Sequence, residues 1–301
     1  MDILSTIQLT LSNTLDEVCS VYGITRPQAF DKVQSFISRN SEEWKNPKPD
    51  INYSDPFCRL AYIYMNVPVH SHLIERAFFS NPELWKSIGD KSKNQEDLNI
   101  CAIGGGPGAE LLGVCSFFSH REFSIRPIIA DFVLVDRVTE WDESWHSLKL
   151  AIDYQVSKAY GRDRLQWPFL INRSFLPLDL TDPDSFSNFA VRFKGLDIII
   201  ASYVVSELKE EIESFCNVIS VLSEFSDSGC FLLFIDRNDP DTRDSVKHLV
   251  EEGELLRTVK KQKLRGEMDA DFDDLGEWFL NIKRLPRQNW LSFMHLAQIL
   301  K

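Results

Sequence analysis

Apolar residues near the start of the chain recur at helical spacing. Ile3, Ile7, Leu11, Leu15 and Val18 fall three or four positions apart, which predicts a helix with one buried face. Thr25-Arg26-Pro27 reads as a second helix start, with Thr25 as N-cap and Pro27 in the first turn, followed by an apolar face of Phe30, Val33, Phe36 and Ile37. Lys45-Asn46-Pro47-Lys48-Pro49 reads as a linker, because two prolines and their predecessors resist helix. A third helical region runs over 56–79, bent near Pro68, and a short helix follows Pro82. The pattern changes at residue 97. Leu98-Asn99-Ile100-Cys101-Ala102-Ile103 is a short apolar run ended by glycines and predicts a buried strand. Further strands are predicted at 132–135, 175–178, 196–201 and 230–235, separated by helical stretches at 109–118, 142–160, 183–193 and 207–224. Alternation of this kind implies parallel βαβ units and an α/β, doubly wound, mostly parallel sheet. The division expected is a helical N-terminal cap over 1–92 and an α/β domain over 93–301. Beyond Asp236, a helix over 241–254 and strands over 255–261 and 290–299 would extend the sheet, and the acidic stretch 267–277 reads as a loop running into a short helix.

Charge narrows the partners. The chain of 301 residues has 33 Lys plus Arg against 45 Asp plus Glu, a net charge of −12, which excludes a broadly basic nucleic-acid-binding surface. A local cluster remains at Arg257, Lys260, Lys261, Lys263 and Arg265; it could touch RNA phosphates, although a solvated strand face is the plainer reading. The six cysteines include no CxxC pair and read as free thiols of a reducing compartment, cytoplasm or nucleus. The N-terminus has no secretory or mitochondrial targeting character, and no apolar run approaches the ~20 residues of a membrane span. No metal site is expected. The six histidines make no ligand pattern, and although Asp269, Asp271 and Asp273 have the opening spacing of a calcium loop, Asp274 stands where glycine is needed and Leu280 where the closing acid belongs.

The strongest chemical signal is Gly104-Gly105-Gly106-Pro107-Gly108, directly after a predicted strand and before a predicted helix. Glycines there permit a tight turn and close approach of backbone to a ligand, and the helix presents its free N–H groups to it. Asp136 ends the second predicted strand, where a carboxylate can accept both hydroxyls of a ribose. Asp179 follows the third, where a carboxylate can accept from an adenine amino group while the Leu180 N–H donates to the ring. Both acids sit at carboxyl ends of parallel strands, the ligand-binding edge of such sheets. A nicotinamide dinucleotide site is the competing reading. The 30-residue gap from Gly106 to Asp136 is longer than the ~20 of that fingerprint, and Asp179-Leu180 has no role in it.

With Ala102-Ile103-Gly104-Gly105-Gly106-Pro107-Gly108, Asp136, Asp179-Leu180 and Ala201-Ser202-Tyr203-Val204-Val205-Ser206-Glu207-Leu208, residues 95–240 resemble the class I, Rossmann-like S-adenosylmethionine-dependent methyltransferases. The resemblance implies a seven-stranded sheet and S-adenosylmethionine as cofactor. It also implies contacts from the glycine loop (Gly104, Gly105, Gly106, Gly108) to the amino acid part, from Asp136 to the ribose, from Asp179 and Leu180 to the adenine, and from Ser202 beside the sulfonium. One departure stands out: the family's acid two residues before the first glycine is Ala102 here.

The acceptor is less legible. The fourth strand lacks the Asn/Asp-Pro-Pro-Tyr/Phe signature of some amino-group methyltransferases. Tyr203 and Glu207 are the candidate catalytic residues, with Tyr64 and His70 of the cap as further candidates for a general base. Trp141, Trp145 and Trp167 are candidates for an aromatic wall near the adenosine. Protein, RNA and small-molecule acceptors stay open, as does the alternative of a non-catalytic relative that keeps the fold as a binding or assembly module.

Overall fold

A computed structural model describes all residues except 45, 47–49, 121–127, 253–254 and 268–271. Most of the linker expected at 45–49, and Asp269 and Asp271 of the acidic stretch, therefore lie outside the described residues.

Four helices come first: α1 (Ile3–Tyr22), α2 (Arg26–Glu43), α3 (Pro56–Ser80) and α4 (Pro82–Asn94). Asp2 caps α1 by accepting from the Ser5 N–H at 2.6 Å. At the start of α2, the Gln28 side chain reaches back to the Thr25 N–H at 2.9 Å, as the Thr25-Arg26-Pro27 signature predicted. α3 runs without interruption through Pro68. Residues 63–71 are all buried, so packing on every side offsets the hydrogen bond that proline removes.

The sheet consists of β1 (Leu98–Ile103), β2 (Ile128–Val135), β3 (Phe169–Leu176), β4 (Ile198–Ser202), β5 (Phe231–Arg237), β6 (Leu256–Glu267) and β7 (Asn289–Ile299). Their order is β3-β2-β1-β4-β5-β7-β6. The first five strands are parallel, and β7 inserts antiparallel between β5 and β6. Between the strands lie α5 (Ala109–Ser119), α6 (Trp141–Tyr160), α7 (Pro183–Asn188), α8 (Ile212–Phe225) and α9 (Pro240–Glu252), and α10 (Glu277–Asn281) precedes β7. Each of the seven strands overlaps an expected segment, but β3 (Phe169–Leu176) shares only Phe175 and Leu176 with the segment expected at 175–178, β2 begins at Ile128 rather than 132, and β6 runs on to Glu267 rather than ending at 261; polar residues such as Asp131, Asn172 and Lys263, which interrupt the apolar pattern, continue the ladder.

Strand periodicity divides the core. Ile100, Ala102, Phe132, Leu134, Ile198 and Ile200 face α1 to α6, whereas Cys101, Ile103, Val133, Val135, Ile199 and Ala201 face α7 to α9. The four N-terminal helices thus bury their apolar faces in the same core as one side of the sheet. The tightest helix contact is α3 on α5. A Cβ on Gly113 would lie 2.5 Å from the Ser71 carbonyl oxygen and 2.6 Å from the Ile74 Cβ. Gly113→Ala is therefore expected to lower stability by about 1–3 kcal/mol through forced separation of two rigid helices. An unchanged unfolding midpoint in urea would show that α3 can move off α5.

The six cysteines are free thiols. No helix among the described residues is long and apolar enough to cross a membrane. The basic cluster sits on the edge strand β6, where Lys261, Lys263 and Arg265 are exposed on one face, Lys260 bonds the Ser80 carbonyl and Arg257 bonds Gln298. Charged side chains on an edge strand discourage pairing with another sheet.

Candidate active site

β1 pairs with β2 on one side and β4 on the other, and the chain's crossovers leave β1 in opposite directions. Ligands bind such sheets in the crevice that this switch opens at the carboxyl ends. The glycine loop, residue 136 and residues 202–207 all lie at that edge.

The loop is held by backbone geometry. Gly104, Gly106 and Gly108 have φ of 64°, 47° and 89°. Each glycine meets a different neighbour. A Cβ on Gly108 would fall 2.2 Å from the Trp145 ring, and one on Gly104 would fall 2.5 Å from a Val204 methyl. At Gly106 a Cβ would meet only the Trp141 ring, at 3.7 Å, an ordinary van der Waals contact, so of the three this position alone has no clash. Asp136 ties the loop to β2: one carboxylate oxygen accepts the Gly106 N–H at 2.9 Å and the other the Val138 N–H at 3.0 Å. Burial raises its pKa against these bonds. Asp179 lies three residues past β3 and uses one oxygen in a turn with the Thr181 N–H and hydroxyl, at 2.9 and 2.7 Å. The Leu180 side chain packs at Gly104.

Beneath the loop lies a residue that motif reading overlooked. Glu110, in the first turn of α5, is 2% exposed. Ser202 at the end of β4 donates its hydroxyl to Glu110 Oε1, while Oε2 has no hydrogen-bond partner. Burial raises this carboxyl to about 7. The signal in the sequence was an acid two residues beyond the last glycine, where a strand-facing helix position calls for an apolar side chain.

Tyr203 follows Ser202 with φ of 59°, left-handed for a residue that bears a Cβ. It is held there by three contacts: its N–H bonds the Ile235 carbonyl at 2.8 Å, its hydroxyl meets Ser292 Oγ at 2.6 Å, and its ring stacks on His70 at 4.3 Å and 10°. Burial, with Arg287 and Arg237 nearby, pushes His70 down to about 3, so the ring is neutral. From His70 an aromatic wall continues through Tyr62 to Trp141 and Tyr53, with centroid separations of 6.3, 5.7 and 5.1 Å. Trp141 is the one predicted tryptophan at this wall. Trp145 packs under Gly108, and Trp167 bonds the Gly161 carbonyl and lies by Arg164. Tyr53 and Tyr62 were missed, since helix periodicity alone reads Tyr62 as packing. Arg59 fixes this part of the wall, bonding the carbonyls of Tyr53 and Ser54 and the Glu143 carboxylate at 2.8 Å. Tyr64 is elsewhere: its hydroxyl donates to the Arg284 carbonyl and its ring stacks on Trp278.

Glu207 closes the crevice. Buried Asp236 accepts the Ser206 N–H at 3.0 Å and so fixes the turn that carries Glu207. The Glu207 side chain is open to the crevice yet crowded by protein on its other sides. That crowding, with the Asp236 charge, raises its carboxyl to about 7, against Arg237 and Arg137. Exposed Arg137 and Arg237 lie near Glu207 and exposed Arg287 near Tyr62, His70 and Tyr203; none forms an ion pair among the described residues, and Arg237 lies 5.9 Å over the Trp44 ring.

Among the described residues, one cluster of metal-ligand type lies outside the crevice. Donor atoms of Glu213, Cys216 and His248 come within 4.8 Å of one another on α8 and α9, so His248 does join such a grouping. The 3.1 Å His248–Glu213 contact accounts for it as a surface pair.

The crevice suits S-adenosylmethionine. It has a glycine loop that carries a Cβ without a clash at Gly106, lone pairs left on Asp136 for ribose hydroxyls, and an unpartnered buried carboxylate oxygen on Glu110 next to the loop. Asp136→Ala should weaken S-adenosylhomocysteine binding by about 1.5–3 kcal/mol, through loss of a charge-assisted contact and of the Gly106 tether. Calorimetry giving wild-type affinity would remove Asp136 from the site.

No protein-family model matches the chain. A curated relative, the 25S rRNA (uridine(2843)-N(3))-methyltransferase of Saccharomyces cerevisiae, is 25% identical over 247 residues, which are 73% of this chain and 65% of the relative. The chain thus spans just under two thirds of that protein's length. Among solved structures, the N-methyltransferase NodS from Bradyrhizobium japonicum WM9 matches with a TM-score of 0.40 and 12% identity over 77% of this chain and 100% of that one. The plantazolicin methyltransferase BpumL matches at 0.42 and 13%, over 90% and 98%. Similarity this loose says nothing about the acceptor. With strand order β3-β2-β1-β4-β5-β7-β6, a glycine loop between β1 and α5, and an acid directly after β2, the chain has the Rossmann-like fold of the class I methyltransferases.

Proposed function

We propose that the protein transfers a methyl group from S-adenosylmethionine to a ring nitrogen of an RNA base, with uridine N3 the first candidate. The observation that carries this reading is the arrangement at the methyl end of the crevice. A stacked Tyr203–His70 pair offers a flat apolar surface beside a carboxylate that is open to the crevice and titrates near neutrality. Bases stack on aromatic side chains when taken out of a strand. An imide N–H must lose its proton to become a nucleophile, and Glu207 is placed to accept it. Arg137, Arg237 and Arg287 offer unpaired positive charge at the crevice in a chain of net charge −12, which suits the phosphates on either side of a flipped base. The name of the yeast relative supports the same acceptor class.

Bound S-adenosylmethionine supplies the electrophilic methyl. The chain's own residues orient it: the glycine loop and Ser202 at the amino acid end, Asp136 at the ribose, and Asp179 with Leu180 at the adenine. A cap of residues 1–92 then contributes Tyr53, Tyr62 and His70 to the acceptor side. We place this activity in the cytoplasm or nucleus, where six free thiols and an RNA acceptor are both at home.

The test is transfer of labelled methyl from S-adenosylmethionine into fractionated extract. Label is expected in RNA, as N3-methyluridine after digestion to nucleosides. Label in protein or small molecules instead would overturn the acceptor. No label in any fraction, with S-adenosylhomocysteine still bound, would favour a non-catalytic assembly module.

A further inference from the structure

Glu110 carries a charge question that the glycine loop does not answer. Its carboxylate is 2% exposed, and its one side-chain partner is the Ser202 hydroxyl on Oε1. Oε2 is buried with no partner. A buried carboxylate is stable as an anion only beside a cation or several donors, and Glu110 has no cation beside it and only the Ser202 hydroxyl and its own backbone N–H as donors, which do not offset its burial. Its position is defined from Gly105: a Cβ there would lie 3.2 Å from the Ala102 methyl and 3.3 Å from Glu110 Oε2. The small side chain of Ala102 therefore leaves room for the carboxylate under the loop, between the ends of β1 and β4.

Asp136 and Asp179 lie at the ends of β2 and β3, on the other side of the loop from β4. A ligand with its adenosine on those acids extends its amino acid portion toward Ser202, over Glu110. Besides the sulfonium, which has no N–H or O–H, that portion bears one cationic group with three donors, the α-ammonium. We propose that the Glu110 carboxylate, held by Ser202 beneath the glycine loop, is the counter-charge for the cofactor's α-ammonium. The assignment rests on the cofactor reading above. It gives the chain the acid that position 102 lacks, supplied from the helix rather than from the strand.

The charged and titratable groups around Glu110 are Asp136 beyond β2 and Tyr62 on α3. Asp136 acts at the ribose, so it affects ligands with and without the ammonium alike. A ratio of two affinities isolates Glu110. The probes are S-adenosylhomocysteine and its des-amino analogue, in which hydrogen replaces the ammonium, titrated calorimetrically at pH 8. Wild-type protein is expected to prefer S-adenosylhomocysteine by about 10- to 100-fold, the range of a hydrogen-bonded charge pair. Glu110→Gln should reduce that preference to about threefold or less while leaving the analogue's affinity near wild type. A preference unchanged in the variant, or equal losses for both ligands, would overturn the assignment while leaving the cofactor reading intact.

If the variant does not fold, the wild-type ratio decides. Glu110 carries its charge at pH 8 and gains a proton as pH falls through about 7, so the preference should shrink toward pH 6. A flat ratio overturns the assignment. Failure of the wild type to bind either ligand overturns the cofactor reading, and the assignment with it.

Discussion

Gly106→Val is expected to abolish cofactor binding while the protein stays folded. Gly106 has φ of 47°, which valine adopts only under strain of about 1–3 kcal/mol. The added Cβ itself meets nothing closer than the Trp141 ring at 3.7 Å, so the fold can absorb it. The two γ-methyls then project from the loop at the point where the proposed ligand must approach backbone. A loss of S-adenosylhomocysteine affinity greater than about 100-fold, ~2.7 kcal/mol, is expected, with a melting temperature lowered by roughly 2–6 °C. Gly108→Ala is the contrasting variant. Its Cβ would lie 2.2 Å from the Trp145 ring, and Trp145 is fully buried against Phe132, so misfolding should precede any effect on binding. Should Gly106→Val bind the cofactor normally, the ligand does not cross the loop at this glycine.

Replacement of Glu207 by glutamine should lower methyl transfer by about 10²–10⁴-fold, the usual contribution of a positioned general base. Cofactor affinity and melting temperature should stay near wild type, because the Glu207 carboxylate is open to the crevice and the turn carrying it is held by Asp236 through the Ser206 N–H. Crowding by the surrounding protein and the Asp236 charge raise the Glu207 pKa to about 7, so the carboxylate is protonated below that pH and ionised above it. Transfer by the wild type should therefore rise with pH through about 7, and the glutamine variant should lack that rise. Full activity with an unchanged pH profile would exclude Glu207 as the base and return attention to Tyr203. His70 is a poor substitute: burial holds it neutral with a pKa near 3, and its ring is committed to stacking on Tyr203.

The fold was legible in the chain because each layer has its own period. Runs such as 198–201, apolar at every position, belong to strands covered on both faces, and the glycines ending β1 mark the turn at the switch point. The late strands at β6 and β7 were also legible, but their antiparallel order was not. Nothing local tells a strand which neighbour it will pair with, and β7 between β5 and β6 is a choice made by the connection through α10 and by packing of Met294 and Leu296 on the helical side.

The positions of the glycine loop and the strand-end acids in the fold were similarly readable, since both are set by local backbone conformation at strand ends. The acceptor side was not. Tyr53, Tyr62, His70 and Tyr203 are 150 residues apart at their extremes and meet only because α3 lies over α5, with Gly113 against Ser71. Glu110 looked like an ordinary first-turn acid that favours a helix N-terminus. Its burial, its bond to Ser202 and its unpartnered oxygen arise from β4 lying beside β1, ninety residues away in the chain. Spacing along the sequence thus determined the sheet, the glycine loop and the two strand-end acids, because those depend on local backbone conformation. Which acids are dry, which arginines stay unpaired and which rings face one another depended on desolvation and long-range packing, and only the tertiary structure decided them.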